Sequence, residues 1–330
     1  MTDNARDDSA YDVLIVGGGA AGLSAALVLG RARRRVAVVD GGDPRNAPAA
    51  HMHGFLSRDG LPPSELLAMG RTEAAGYGVR LISGRVGDVT HADGRFRARL
   101  DDGSTLSALR VLVATGLRDE LPGIPGVRER WGKDVAACPY CHGYEVRDRP
   151  VGVIGAPHLA LLLSQWSRDL VYFPHEQPVT EEEHEQLAAR GVRVVTGRVN
   201  RLAVEDGRVR GVEVDGAGSV LREAVFVTPR FVPRDEVLRA LGAERLDSGF
   251  VATDPTGRTD VPGVWAAGNV VNPMAQVIHA AGQGSAAAAA INADLLMTEV
   301  EQAVADRRAL SAPAERTAHA ARHRTSDPLS

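Results

Sequence analysis

Residues 11–22 read Tyr-Asp-Val-Leu-Ile-Val-Gly-Gly-Gly-Ala-Ala-Gly, an apolar run that ends in glycines and opens into a helical pattern. Few folds accept such a stretch. A short continuous apolar strand is buried on both faces, which is the situation of a parallel sheet covered by helices. Gly17, Gly19 and Gly22 hold the G-x-G-x-x-G spacing at the strand-to-helix turn. The first glycine permits the tight turn and the second lets backbone approach a pyrophosphate. The third lets helix and strand pack closely. Ala20 and Ala21 start the helix, whose N-terminus faces the phosphate charge. Asp40 ends the next strand, where an acid binds a ribose hydroxyl.

The chain repeats itself. Gly78 to Val86 reads GVRLISGRV and Gly191 to Val199 reads GVRVVTGRV. Each segment follows a strand-turn-helix-strand unit. In the first copy these are a strand over 12–16, a helix over 20–30 and a strand over 36–40. In the second they are a strand over 151–155, a helix over 158–167 and a strand over 170–173. Each segment then leads into short strands with Asp-Gly turn signals, at 93–94 and 102–103, then at 206–207 and 215–216. A further strand over 111–116, ending Ala114-Thr115-Gly116, closes the first unit. Gly268-Asn269 precedes an alanine-rich helix over 282–296.

The predicted fold is therefore α/β, with two Rossmann-like, three-layer ββα nucleotide-binding domains, the second inserted into the first. Residues 1–116 and 245–300 form the first domain and 117–244 the second. Residues 301–330, rich in Ala, Arg, Ser and Pro, are expected to be a flexible tail. A length of 330 residues is ample for two cores. The net charge of -4 and the 4% aromatic content give no case for nucleic-acid binding. The polar N-terminus does not read as a secretory signal, and no apolar run reaches the roughly 20 residues that span a bilayer. A cytoplasmic protein is expected, and there a disulfide is more often catalytic than structural.

Only two cysteines occur, in Cys138-Pro139-Tyr140-Cys141-His142. Three chemistries use such a spacing. Cys-x-x-Cys-His is a haem-attachment pattern, but that chemistry accompanies export. A zinc site needs four ligands, and there is no second Cys-x-x-Cys to supply them. The favoured reading is a dithiol that closes and reopens, a two-electron switch with no metal. His142 follows the second thiol directly and is the candidate base. His279 is the second candidate.

The glycine turn, the dithiol and the small-residue segments together resemble the low-molecular-weight thioredoxin reductases, from Tyr11 to about Leu296. The resemblance implies that the first domain binds FAD and that the inserted domain binds NADPH and carries the dithiol. It also implies a homodimer. The FAD set it implies is Gly17, Gly19, Ala20, Ala21, Gly22, Asp40, Asn46, His53, Ala114, Thr115, Gly116, Gly268, Asn269, Gln276 and Val277. By family position Cys141 lies against the flavin and Cys138 exchanges with substrate. Those reductases usually carry an acid where this chain has His142.

The second nucleotide turn departs from the pattern. It reads Gly155-Ala156-Pro157-His158-Leu159-Ala160, with proline where backbone should meet phosphate. Where reductases place arginines for a 2′-phosphate, this chain has Pro174-His175-Glu176-Gln177-Pro178 and then an acidic loop, Thr180-Glu-Glu-Glu-His-Glu. Its closing strand ends Thr228-Pro229 rather than in a glycine turn. These features resemble the reductase-like oxidases that close disulfides in dithiol natural products of the gliotoxin and holomycin type. Those use FAD and O2, release H2O2 and dispense with NADPH. The expected function is thus FAD-dependent oxidation of a small-molecule dithiol. The alternative is a thioredoxin reductase fed by NADPH or another donor.

Overall fold

The computed structural model describes residues 10–323, with side chains to residue 310. Strand β1 (Ala10–Val16), helix α1 (Ala20–Arg31) and strand β2 (Val36–Asp40) open the chain. Then come α2 (Pro63–Gly76), β3 (Arg80–Ser83), β4 (Val86–Ala92), β5 (Arg95–Leu100) and the nine-residue β6 (Thr105–Val113). The strands form one sheet in the order β3-β2-β1-β6-β5-β4. Alternate residues of β1 serve opposite faces. Leu14 and Val16 join one apolar cluster and Val13 and Ile15 the other, so both sides of the sheet are core.

The second unit repeats this plan. Strand β7 (Leu117–Glu120) leads to α3 (Val127–Arg130), β8 (Val135–Ala136) and the short α4 (Pro139–His142) that carries the dithiol. Next are β9 (Val151–Ile154), α5 (Pro157–Leu163), β10 (Leu170–Phe173), α6 (Glu181–Ala189) and β11 (Arg193–Val194). A three-stranded sheet of β12 (Val199–Glu205), β13 (Arg208–Val214) and β14 (Gly218–Leu221) precedes β15 (Ala224–Val227). The parallel sheet here runs β11-β10-β9-β15-β8. What is one long strand in the first copy, β6, is two here. They break at Arg222, which is 5% exposed and donates to the carbonyls of Val151 and Asp169 and to the Asp169 carboxylate at 2.7 Å.

The chain returns through β16 (Arg230–Pro233), paired antiparallel with β7, and α7 (Glu236–Ala240). Strand β17 (Val264–Ala266) then adds to the free part of β6, and α8 (Val277–His323) packs on α1. The second unit is thus inserted into the first. Both Asp93-Gly94 and Asp206-Gly207 take positive φ at both residues, as two-residue hairpins require.

Four expectations are corrected. Val237, Leu238 and Ala243 are buried in the first core, so this stretch belongs with the first unit rather than with residues 117–244. The predicted acidic loop is the first turn of α6. There Thr180 and Glu183 form a capping box and Glu181–Glu183 face the helix dipole. Helix α5 stops at Leu163, four residues early, as Ser164 turns its hydroxyl to the Leu161 carbonyl. Helix α8 starts earlier and continues through 301–323, where a loose tail was expected. Ala, Glu, Gln and Arg dominate 299–310 and are strong helix formers. The part of that tail beyond 323 lies outside the described residues. Among the described residues, no helix is long and apolar enough to cross a membrane.

Candidate active site

The carboxyl ends of β1, β6 and β17 meet at a cavity of about 1210 Å³. Close backbone contact shapes its floor. A Cβ on Gly17, whose φ is +108°, would lie 2.4 Å from the Ala114 carbonyl oxygen, and one on Gly22 would lie 1.8 Å from that of Gly17. Gly19 has nothing within 4 Å of such a carbon, so its face is open to the cavity. Gly19 is also the N-cap of α1, with no side chain to satisfy the first-turn N–H groups. Those groups are free for a phosphate. Asp40 accepts from Arg71 at 3.0 Å and borders a second recess of about 240 Å³ with Gly18, Ser83 and Gly84. The pieces fit a dinucleotide.

Every residue predicted for that cofactor except Gly22 lines the large cavity. Gly22 lies behind it, at the helix–strand contact. Several of the lining residues are engaged elsewhere. Asn269 donates its amide to the carbonyls of Asn272 and Ala275, holding the loop before α8. Thr115 Oγ1 donates to the Arg234 carbonyl at 2.5 Å. His53 stands between two acids, with Nδ1 3.4 Å from Asp59 and Nε2 3.4 Å from Glu145.

The dithiol lines the same cavity. Helix α4 begins where β8 ends, as the Gly268 turn begins where β17 ends, and β8 pairs β15 as β17 pairs β6. Cys138 is the N-cap and Pro139 the first helical residue, a position where the missing N–H costs nothing. Cys138 and Cys141 are disulfide-bonded, with Cα atoms 5.3 Å apart. Cys141 Sγ lies 3.9 Å from Gln276 Nε2, at the entry to α8, which turns this sulfur toward the first unit. Gly143 keeps the turn compact, since a Cβ there would meet the Pro139 carbonyl at 2.6 Å and the Trp166 ring at 3.0 Å.

His142 is enclosed, and among the described residues its Nδ1 has no hydrogen-bond partner. Burial pushes its pKa below the ordinary 6.5, opposed by the Glu145 charge and assisted by that of His53. It is therefore a neutral base near neutrality, with one nitrogen left for a bound group or a thiol. His279 also lines the cavity, exposed at the start of α8.

The second nucleotide turn opens onto this same chamber, through His158, Leu159 and Leu162 of α5 and through Thr228 and Pro229. Pro157 is the first residue of α5, so one of the N–H groups that greet a phosphate is missing. Glu176 pairs with Arg198 at 3.4 Å, and His175 Nδ1 accepts from the Val199 N–H. Arg198, the guanidinium beside this turn, is thus already paired with an acid.

Sequence reasoning missed Arg45 and Glu145. Arg45 lines the cavity, grips both oxygens of Asp119 at 2.7 and 2.8 Å and donates to the Pro273 carbonyl. Nothing local in sequence marks that pair. Glu145 was legible as the acid three residues after His142, on the same turn.

A family model described as pyridine nucleotide-disulphide oxidoreductase matches residues 11–284. The chain is similar to the thioredoxin reductase aclD of Aspergillus oryzae, 30% identical over 316 residues that cover 88% of this chain and 98% of that one. It is also similar to the thioredoxin reductase sirT of Leptosphaeria maculans, 29% identical over 314 residues, 86% of this chain and 94% of that one. The crystal structure of HlmI, 56% identical, superposes with a TM-score of 0.89 and covers 93% of this chain and 98% of that one.

Proposed function

The chain belongs to the pyridine nucleotide-disulphide oxidoreductase family as a flavin-dependent thiol/disulfide oxidoreductase, and from that premise we propose that it oxidises a small-molecule dithiol to the disulfide. FAD is the cofactor of this reading and O2 the final acceptor. The observation that carries it is the single chamber joining the first glycine turn, the disulfide and the eroded second turn. A domain that has lost its dinucleotide cradle has room beside the dithiol for a small substrate.

The turn 17–21, Asp40, Ala114–Gly116 and the start of α8 would hold the FAD. When bound, it supplies a two-electron acceptor that returns the pair to O2 as H2O2. The protein's own residues do the sulfur chemistry. His142 takes a substrate thiol proton at Nδ1, and the thiolate attacks Cys138 Sγ. A substrate–Cys138 bond forms as the Cys138–Cys141 bond breaks, and Cys141 leaves as thiolate beside Gln276. The second substrate thiolate attacks the substrate sulfur of the mixed disulfide. That closes the substrate disulfide and releases Cys138. The substrate loses two electrons and two protons, and the protein disulfide gains the two electrons. The same reading makes the enzyme a cytoplasmic homodimer.

Anaerobic addition of NADPH, and separately of dithiothreitol, to the flavin-loaded protein tests this. Bleaching by the dithiol alone, with colour restored by air, is expected. Rapid bleaching by NADPH overturns the reading in favour of a thioredoxin reductase.

A further inference from the structure

The inserted unit joins the first through two crossings, β7 on the way out and β16 on the way back. They pair as a two-stranded ribbon, which is marginal by itself and leaves two such units free to move unless something fixes them. Arg45, in the loop after β2, meets that ribbon. Asp119 and Phe231 stand directly opposite each other in it, so their side chains share one face. The Arg45 guanidinium takes both oxygens of Asp119, whose side chain is 8% exposed, and lies 5.0 Å over the Phe231 ring. Its remaining amino group donates to the Pro273 carbonyl at 3.1 Å. Three residues on, Gln276 Nε2 meets Cys141 Sγ. The same loop also touches the inserted unit, since a Cβ on Gly132 would lie 2.7 Å from Pro48. Asp43 accepts from Arg234, the residue after β16, at 2.7 Å. By contrast, the pairs Arg118–Glu120 and Arg230–Glu120 on the ribbon are exposed and contribute little.

We propose that Arg45 is a positioning residue that clamps both crossing strands and the entry of α8 in one arrangement, and so holds Cys141 against the first unit. It touches neither sulfur and acts through Asp119, Phe231 and Pro273. A guanidinium offers a fork for the acid, a face for the ring and a further donor for the carbonyl, which an ammonium does not. The clamp governs transfer from the reduced dithiol to the flavin and leaves the capture of substrate at Cys138 untouched. The inference rests on the dithiol reading above for that division.

The test takes two readouts on the flavin-loaded full chain. The first is the limiting rate of anaerobic flavin bleaching at saturating dithiothreitol, with the half-saturating concentration, in buffers of rising sucrose viscosity. The second does not depend on turnover: the two thiols are alkylated by iodoacetamide after reduction with a phosphine, and each is followed by mass spectrometry. In the wild type the limiting rate is indifferent to viscosity, and Cys141 labels more slowly than Cys138. Arg45→Gln lowers the limiting rate by about 10²-fold, the cost of a misplacement of roughly an ångström. The half-saturating concentration changes little, as expected when capture is untouched. The residual rate falls with viscosity, and Cys141 labels as fast as Cys138. Arg45→Lys keeps the charge without the fork and lies between the two. Arg230→Gln, which breaks an exposed pair of the same ribbon, leaves both readouts at the wild type. If Arg45→Gln does not hold flavin, Asp119→Asn carries the comparison with the same signs. A wild-type limiting rate or wild-type labelling in these variants overturns the inference. A wild type that dithiothreitol does not bleach overturns the dithiol reading itself, and the labelling still tests the clamp.

Discussion

The two glycine turns of this molecule occupy equivalent places in equivalent sheets, yet their backbones are packed differently. At the first, Gly17 is pressed against the Ala114 carbonyl and Gly22 against Gly17, leaving no room for a single carbon. At the second, Gly155 keeps its positive φ of +72°, but the nearest atom to a Cβ would be Gln177 Nε2 at 3.9 Å. Helix α1 presents bare N–H groups at Gly19, while α5 presents Pro157. Strand order is therefore shared, and the close backbone packing is not. A parallel sheet provides the crevice, but binding requires that backbone close on the ligand to hydrogen-bond distance. The second unit keeps the crevice and uses it as a wall of the dithiol chamber.

The sharpest way to break this contrast is Gly22→Ala. Its methyl group would sit 1.8 Å from the Gly17 oxygen. The turn must open, at a cost of about 3 kcal/mol. The variant is expected to purify without flavin and to melt early, read by visible absorbance and thermal unfolding. Retention of flavin at wild-type stability would show that the first turn is no tighter than the second.

His142→Gln addresses the chamber between the turns, and slows dithiol-driven bleaching by roughly 10²–10⁴-fold, the range of a general base. It also changes how folding responds to acid. Burial holds His142 below its ordinary 6.5, so below that pH the unfolded chain binds more protons than the folded one. Stability therefore falls as pH drops from about 6.5 toward the depressed folded value. Denaturant titrations at several pH values should show a shallower fall in the variant.

The smallest effect is expected at Thr180→Ala. It removes the cap of α6 and costs about 1 kcal/mol, with flavin content and turnover unchanged. A loss of turnover there would mean that the acidic turn serves a ligand rather than its own helix.

Much of this was legible along the chain because the signals are local. Strands β2 and β10 fall at 36–40 and 170–173, where continuous Val, Leu and aromatic runs placed them. The first turn could be read because its glycines answer to backbone geometry, which spacing records directly. What escaped reading is of another kind. The acids after Thr180 carry the same charge in a loop or a helix, and only the cap at Thr180 decides which. Arg45 finds Asp119 across 74 positions, and His53 finds Glu145 across the junction of the two units. Such pairs depend on how finished elements dock, and no periodicity announces them. His53 shows the consequence: its place beside the chamber was anticipated, while the two acids that hold it were not.

The late return of the chain to its first sheet has a consequence during synthesis. Strand β17 completes the edge of β6, and α8 packs so tightly on α1 that a methyl at Gly284 would strike the Ala21 carbonyl. Until residues 264–291 leave the ribosome, the first half has no Trp265, Ala287 or Ile291 to fill its core. The inserted half, with every strand of its parallel sheet lying between 135 and 227, can fold while the earlier half waits. The domain begun first is finished last, so a message truncated before residue 264 yields a dithiol-bearing module with nowhere to send its electrons.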